Sequence, residues 1–426
     1  MAGSRILQKV EFSFAGLRLA RLRLVSLLRA GLRPASLPPI AHCPLRFASL
    51  LLSVLSFWPP PSFAQAPPQP YAVISRDAVN YSGPGRDASY DLAGSEIKIG
   101  FLAPLSGPRR DEGQALLLAA QLAIEDEAAS PLPEGRRLSI VPRDESGPWG
   151  RASNVIVQFV YEDRAVAIVT SLAGGSAHIA EQVGNRVGIP IVTLSTDPTT
   201  TQINLPWIFR LGPTDTQQAR AFARDIYIAC KLKQVLLITE NNHDGRIGGE
   251  EFQKAARASN APPVVSLAID PADSSSISAV SQIITTQKPE ALVFWTGHEM
   301  AARLVPPFRK AFPKAVVYLC HEAAQAKFER DQENIWIAAP RPAGSPLRET
   351  FEKRYRAHDG ILPLPAAAQA YDAVRVLAAA LRRSGPNRAR LRDALATLSS
   401  YSGASSIISF DHAGNDLSDL TIVSLR

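Results

Sequence analysis

Short unbroken apolar runs alternate along this chain with longer stretches in which apolar residues recur every three or four positions. The first run, IKIGFLAPLSGP from Ile97 to Pro108, reads as a buried strand opening into a turn of Pro104, Ser106, Gly107 and Pro108. Leu116, Ala119, Ala120, Ala123 and Ile124 then mark one face of a helix over 114–128. Further runs follow at 138–141, 165–170, 189–193, 235–239, 264–269, 291–295, 315–319 and 335–339. Between most of them, 152–162, 178–187, 216–231, 247–259, 275–287 and 300–312 carry helical periodicity. Unbroken apolar strands alternating with helices predict an α/β fold with parallel sheets covered by helices on both faces. Open sheets of this kind hold small ligands at the carboxyl ends of their strands, where loops and helix N-termini converge, so the first loop is a candidate site wall.

Size divides this pattern in two. The roughly 360 residues after position 64 exceed what one core supports, so two lobes are expected. The rhythm breaks at LPWIFRLGPTD, punctuated by Pro206, Gly212 and Pro213, with Thr214 or Asp215 placed to cap the next helix. At the end, IISFDHAGNDLSDLTIVSL reads as two alternating runs around a DHAGND turn.

Charge changes the picture only at the N-terminus. The formal net charge is +7, but residues 1–64 hold eight basic residues and one acid, and the remainder carries 38 of each. The chain beyond the leader is therefore neutral and has no basic patch for nucleic acid. Arg46, an apolar core over 47–57, Pro59 to Pro61 and Ser62-Phe63-Ala64 have the layout of a secretory signal peptide cleaved near Ala64, too short for a permanent membrane span. Residues 1–44 are long and Arg-rich for such a leader, which suggests a start near Leu45 or an extended n-region. Cys43 lacks the residues that precede a lipid-attachment cysteine. Residues 65–95 turn to Pro, Gly, Ser and Asp, as expected of a linker or wrapped extension, with Tyr71, Val73 and Ile74 available for one short strand. Cys230 and Cys320 fall at opposite edges of a parallel layer and are expected to pack unpaired as small apolar residues.

Catalytic motifs are incomplete. His298-Glu299 and His321-Glu322 each begin an HExxH pattern, but the fifth positions are Ala302 and Gln325. A P-loop lysine is missing, no GxGxxG follows a strand, and GGSAH has histidine where a nucleophile elbow needs its second glycine. The seven histidines lack ligand spacing. No enzyme, cofactor or metal is expected from these patterns.

Four segments in fixed order carry a specific resemblance: the opening strand and loop, SLAGGSAHIAEQVGNRVGIPIVTLSTDPTTT, IFRLGPTDTQQA, and QAYDAVRVLAAAL. In order and spacing the chain from Glu96 to Arg426 resembles the substrate-binding proteins of branched-chain amino acid ABC transporters, which are type I periplasmic binding proteins. The resemblance implies two Rossmann-like lobes joined by three hinge crossings, near Leu211, Pro340 to Pro342, and Gly403 to Ser405. It places residues 96–211 with 342–404 in one lobe and 212–341 with 405–426 in the other, closing on an amino acid or related small polar solute. It further implies a monomer in the periplasm that docks on an inner-membrane ABC permease. A sensor module of the same fold, or a degenerate member without a ligand, are the alternatives.

Site residues transfer one at a time. Ser106 stands in the first loop. Gly174, Gly175 and Ser176 occupy a loop that presents hydroxyls and bare N–H groups to a ligand carboxylate, two family serines being replaced by the glycines; a glycine turn with an N-cap serine explains the same residues. Ser195, Thr196 and Asp197 take the places that bind carboxylate and ammonium, although Asp197 before Pro198 also reads as a helix cap. Glu322 aligns with the glutamate that pairs with the ammonium, or begins a helix in solvent. Trp295 and His298 stand near a position that is often aromatic, and Trp295 equally suits the core. An aromatic-glycine pair common in the family is here His243, Asp244, Gly245 and Arg246, and another is Glu112-Gly113. Asp244 with Glu112, Asp197 and Arg246 implies a site more polar than one made for leucine.

Overall fold

The computed structural model describes residues 95–147, 151–202, 207–270, 283, 286–328, 334–340 and 346–425. The leader, the 65–95 extension apart from Ser95, and most of the helix expected over 275–287 lie outside the described residues.

Two sheets organise the chain. The first has the order β2-β1-β3-β4-β5, built from β1 (Glu96–Ala103), β2 (Arg137–Asp144), β3 (Ala167–Thr170), β4 (Ile191–Thr193) and β5 (Ile208–Arg210), all parallel. The second has the order β13-β10-β9-β8-β6-β7, from β6 (Val235–Glu240), β7 (Val265–Ile269), β8 (Ala291–Trp295), β9 (Val316–Leu319), β10 (Ile335–Pro340) and β13 (Leu420–Ser424). Only β13 in this sheet runs antiparallel, against β10. In both sheets the central strands are buried along their whole length, which is why they read as continuous apolar runs.

Helices cover the strands through the stripes expected of them. In α1 (Arg110–Glu127), Leu116, Ala119, Ala120 and Ala123 are buried on the first sheet's core. After the second sheet the chain returns to that same core: Phe351 and Tyr355 of α8 (Pro346–Asp359), Tyr371, Val374 and Leu377 of α9 (Pro365–Ser384), and Leu391 of α10 (Arg388–Ala396) all pack there. The alanine-rich α9, opened by Pro365 at its first turn, meets little solvent on any side. The remaining helices are α2 (Arg151–Tyr161), α3 (Gly174–Val187), α4 (Thr199–Gln202), α5 (Asp215–Ala223), α6 (His243–Ala258) and α7 (His298–Ala311). Thr214 caps α5 in a capping box with Gln217. A π turn, Arg224–Ala229, extends α5 and leaves Cys230 exposed at its end, whereas Cys320 is buried and both thiols are free.

The tail divides instead of forming one hairpin. Its first run, β12 (Ile407–Ile408), pairs with β11 (Tyr401–Ser402), while the second run, β13, joins the other sheet. Ala404, Ile408 and Phe410 still pack in the first core. Between the two runs the DHAGND turn docks on β5, with Arg210 N–H donating to the Gly414 carbonyl at 2.7 Å and Asp416 N–H to the Arg210 carbonyl at 3.2 Å. Gly414 sits at φ 86°, and a Cβ there would fall 2.3 Å from the Ile208 carbonyl oxygen, so the turn needs glycine.

Candidate functional site

Strand order reverses between β1 and β3 in the first sheet and between β6 and β8 in the second. Such switch points open a crevice at the carboxyl ends of the strands, and there the two sheets touch. From the first sheet come Arg109 after β1, Glu145 after β2, Ser171 to Ser176 after β3 and Ser195 to Asp197 after β4. From the second come His243 and Asp244 after β6, His298 after β8 and Glu322 after β9.

Arg109 is the hub. Its guanidinium donates to Glu112 at 2.6 and 3.2 Å and reaches Glu322 across the crevice at 3.4 Å. Glu112, itself buried, lies 3.3 Å from His298 Nδ1 of the second sheet. Burial raises the pKa of Glu112, but Arg109 and His298 outweigh it and hold the carboxyl below its usual range. The neighbouring acids go the other way. Burial pushes Glu145 up to about 7, against the pull of Arg109, Ser171 and Ser176, and it raises Asp244 and Glu322 as well. Asp215, at the first position of α5, is pushed up to about 8 by burial although Thr196 and the Trp295 indole bond to it. Glu145 Oε2, Asp215 Oδ2 and Asp244 Oδ1 are among the buried oxygens of the described residues that find no hydrogen-bond partner, as is Glu181 Oε1 on α3. The pocket thus gathers more carboxylates than Arg109 neutralises, and buried acceptors without donors are costly.

A second contact lies beside it. The Gly174 N–H at the start of α3 donates to Asp244 Oδ2 at 3.3 Å, and a Cβ at Gly174 would fall 2.3 Å from Asp244 Oδ1. Glycine is what allows the helix to approach. His178 Nε2 and His243 Nε2 stand 3.1 and 2.7 Å from Asp197 Oδ2. The Asp197 and Glu181 carboxylates push His178 up to about 9.

The expected site residues sort accordingly. Glu322, Asp244, His298, Gly174 and Asp197 meet partners across the crevice, and Ser176 stands beside Glu145. Asp197 is the helix cap, its Oδ1 accepting from the Thr199 N–H and hydroxyl at 2.8 and 2.6 Å, while Oδ2 faces the histidines. Gly175 borders the same turn, half-buried. Ser195 is buried and its Oγ accepts from Asp197 N–H at 3.2 Å, and the Thr196 carbonyl takes the Asp215 N–H at 2.8 Å. Two expectations change. Ser106 is exposed and its hydroxyl is committed to Asp144 Oδ2, because the loop turns that side chain toward the end of β2. Trp295 belongs to the second core, packed between Phe222 and Phe252, with only its indole N–H reaching Asp215 at 3.1 Å.

Arg109, Glu145, Asp215 and Arg210 are additions that local pattern did not single out. Arg210, fully buried at the end of β5, binds the carbonyls of Ser195 and Asp197, the hydroxyls of Thr200 and Thr201, and Asn415 Oδ1. Burial brings its pKa down to about 10. It is the strut that shapes the 195–201 loop, and its only sequence signal is a lone charge at the carboxyl end of an apolar strand.

Comparison with known proteins follows this geometry. The family profile described as periplasmic binding protein matches residues 96–422. An amino acid binding protein of Pseudomonas aeruginosa is 28% identical over 165 residues, 38% of this chain and 43% of that protein. A Leu/Ile/Val-binding protein of Rhizobium johnstonii is 23% identical over 207 residues, 49% of this chain and 56% of that protein. The chain thus matches about half the length of these curated relatives. Among solved structures, the branched-chain amino acid binding protein LivJ from Streptococcus pneumoniae, in complex with isoleucine, is similar with a TM-score of 0.68 at 22% identity, over 78% of this chain and 96% of that one. A solute-binding protein from R. palustris in complex with benzoate gives 0.70 at 20% identity, over 78% and 93%. At these identities the structures establish the fold: two-lobed, α/β, of the type I periplasmic binding protein kind.

Proposed function

Because the chain belongs to the periplasmic binding protein family, we propose that it captures an amino acid or related small polar solute between two closing lobes and delivers it to an ABC permease. The observation that carries this reading is the surplus of partly buried carboxylates around Arg109, contributed by both sheets. An ammonium brings three donors and one positive charge to oxygens such as Glu145 Oε2 and Asp244 Oδ1, which otherwise lack partners. Arg109 and the N–H groups of Gly175 and Ser176 at the N-terminus of α3 suit the solute carboxylate. A zwitterion therefore fits both ends of the pocket, and contacts to both sheets favour the closed arrangement over the open one.

In this reading each lobe is built around one sheet, with crossings near Leu211, at Pro340 to Pro342, of which 341 and 342 lie outside the described residues, and at Gly403 to Ser405. Export to the periplasm and action as a monomer complete the reading, and among the described residues no helix is long and apolar enough to cross a membrane. The proposed role involves no bond-making step.

A thermal-shift panel of amino acids, short amides, small carboxylates and aromatic acids tests the proposal, followed by calorimetry on hits. At a hundredfold excess over Kd a specific ligand adds about 2.7 kcal/mol of stability, enough to move the melting temperature by several degrees. Folded protein that responds to no zwitterion or ammonium compound would defeat this reading.

A further inference from the structure

We propose that His178, Asp197 and His243 form a binding site for one divalent transition-metal ion of the zinc class, which ties the two sheets together. The three residues lie on three elements: α3, the loop after β4, and the first position of α6. Their donor atoms all fall within 4.8 Å of one another, with both imidazole Nε2 atoms turned to the same oxygen, Asp197 Oδ2, at 3.1 and 2.7 Å. In a tetrahedral site with metal bonds of about 2.0–2.1 Å, neighbouring ligand atoms stand roughly 3.4 Å apart, so an ion needs displacements of well under 1 Å on those two edges. Two imidazoles and one carboxylate are a donor set for zinc, cobalt, nickel or copper, whereas magnesium and calcium favour all-oxygen sites.

The support around the cluster is that of a metal centre. The other nitrogen of His178, Nδ1, lies 3.2 Å from Glu181 Oε2, one turn along α3, and Glu181 is 1% exposed. A buried carboxylate behind an imidazole fixes the ring and raises its basicity as a ligand. Asp197 Oδ1 is held by Thr199, which leaves Oδ2 as the coordinating oxygen. Asp244 Oδ1, buried and without a hydrogen-bond partner, and Asp197 Oδ2 both lie within 3.0 Å of the point where a Gly174 Cβ would stand. Asp244 therefore stands beside the cluster, outside its set of three ligands. The side chains of His178 and His243 are 27% and 40% exposed, which leaves an entry path. Since His243 comes from the second sheet and His178 and Asp197 from the first, the ion bridges the crevice and holds it closed. The three ligands are other than Glu145, Asp244 and Glu322, the groups assigned to the solute.

The test is titration of the EDTA-stripped full chain, its exposed thiols alkylated, with ZnCl2 by calorimetry and with CoCl2 by visible absorption. One equivalent binds with micromolar or tighter affinity, and Co(II) gives an intense tetrahedral spectrum that a hydrogen-bonded latch cannot produce. His178→Ala and His243→Ala each lower the affinity by more than Glu181→Gln, for which about 10–100-fold is expected. Should His178→Ala fail to fold, His243→Ala and the Co(II) spectrum of Glu181→Gln carry the test. Absence of micromolar Zn(II) binding overturns the proposal. Binding that survives His243→Ala unchanged places the ion elsewhere and overturns it equally.

Discussion

Replacing Gly174 with alanine should weaken solute binding without weakening the fold. The new Cβ would fall 2.3 Å from Asp244 Oδ1 and 3.0 Å from Asp197 Oδ2, closer than van der Waals contact allows, so the second sheet's Asp244 must withdraw. Withdrawal breaks the Gly174 N–H to Asp244 Oδ2 bond of 3.3 Å. A hydrogen bond to a charged group contributes about 1.5–3 kcal/mol, and at about 1.4 kcal/mol per decade this is roughly a 10–150-fold rise in Kd. Alanine meanwhile suits a helix better than glycine by up to about 1 kcal/mol, so unfolding of the free protein should shift little or upward. Gly175→Ala is the matched control, one position along the same turn, where a Cβ meets nothing within 4 Å. The assay is calorimetric affinity for the best solute of the thermal-shift panel, with urea unfolding of each free variant, all in EDTA. If Gly174→Ala binds as tightly as Gly175→Ala, the two sheets do not close through this contact, and the reasoning fails.

Glu322→Gln should weaken an ammonium-bearing solute by about 10–150-fold, the same range for a charge-assisted bond; unchanged calorimetric affinity would remove Glu322 from the pocket. Arg210→Met leaves the carbonyls of Ser195 and Asp197 and two threonine hydroxyls without their donor. A loss of about 3–5 kcal/mol in urea unfolding is expected for breaking a buried charged network, and a loss below about 1 kcal/mol would mean the strut is unnecessary. Stability should fall between pH 6.5 and 8, because Glu145 and Asp215, pushed up to about 7 and 8, keep protons in the folded state that the unfolded chain has lost. His321, drawn down to about 4 by burial, acts in the opposite sense only below pH 6.5, so melting temperatures that rise from 6.5 to 8 would contradict this assignment. For the same reason a cationic solute should release protons on binding at pH 6.5, seen as a dependence of calorimetric heat on buffer ionisation enthalpy.

The strands were legible because a parallel strand buried on both faces leaves no polar interruption: the run 291–295 is β8 residue for residue. Helix faces such as Leu116, Ala119, Ala120 and Ala123 were legible for a similar reason. The crevice loops could be located by strand order and by the family resemblance, but its electrostatics could not. Arg109 and Glu322 are separated by more than two hundred positions, and each reads locally as a solvated charge beside a helix start. Only packing of the two sheets buries them together. His178, Asp197 and His243 likewise show no ligand spacing, since three separate elements deliver them. The tail misled for a different reason. DHAGND has the composition of a hairpin turn, yet its carbonyls and N–H groups pair with the edge of β5, an opportunity invisible in the turn itself.

That docking has a consequence for the order in which the molecule is made. Arg210 can shape the 195–201 loop fully only once Asn415, Gly414 and Asp416 have arrived to hold its side chain and backbone. A chain that emerges from its N-terminus leaves one wall of the crevice unfinished until residues 414–416 have appeared. The shape of the 195–201 loop is thus settled late, by a turn that lies some two hundred positions away in the chain.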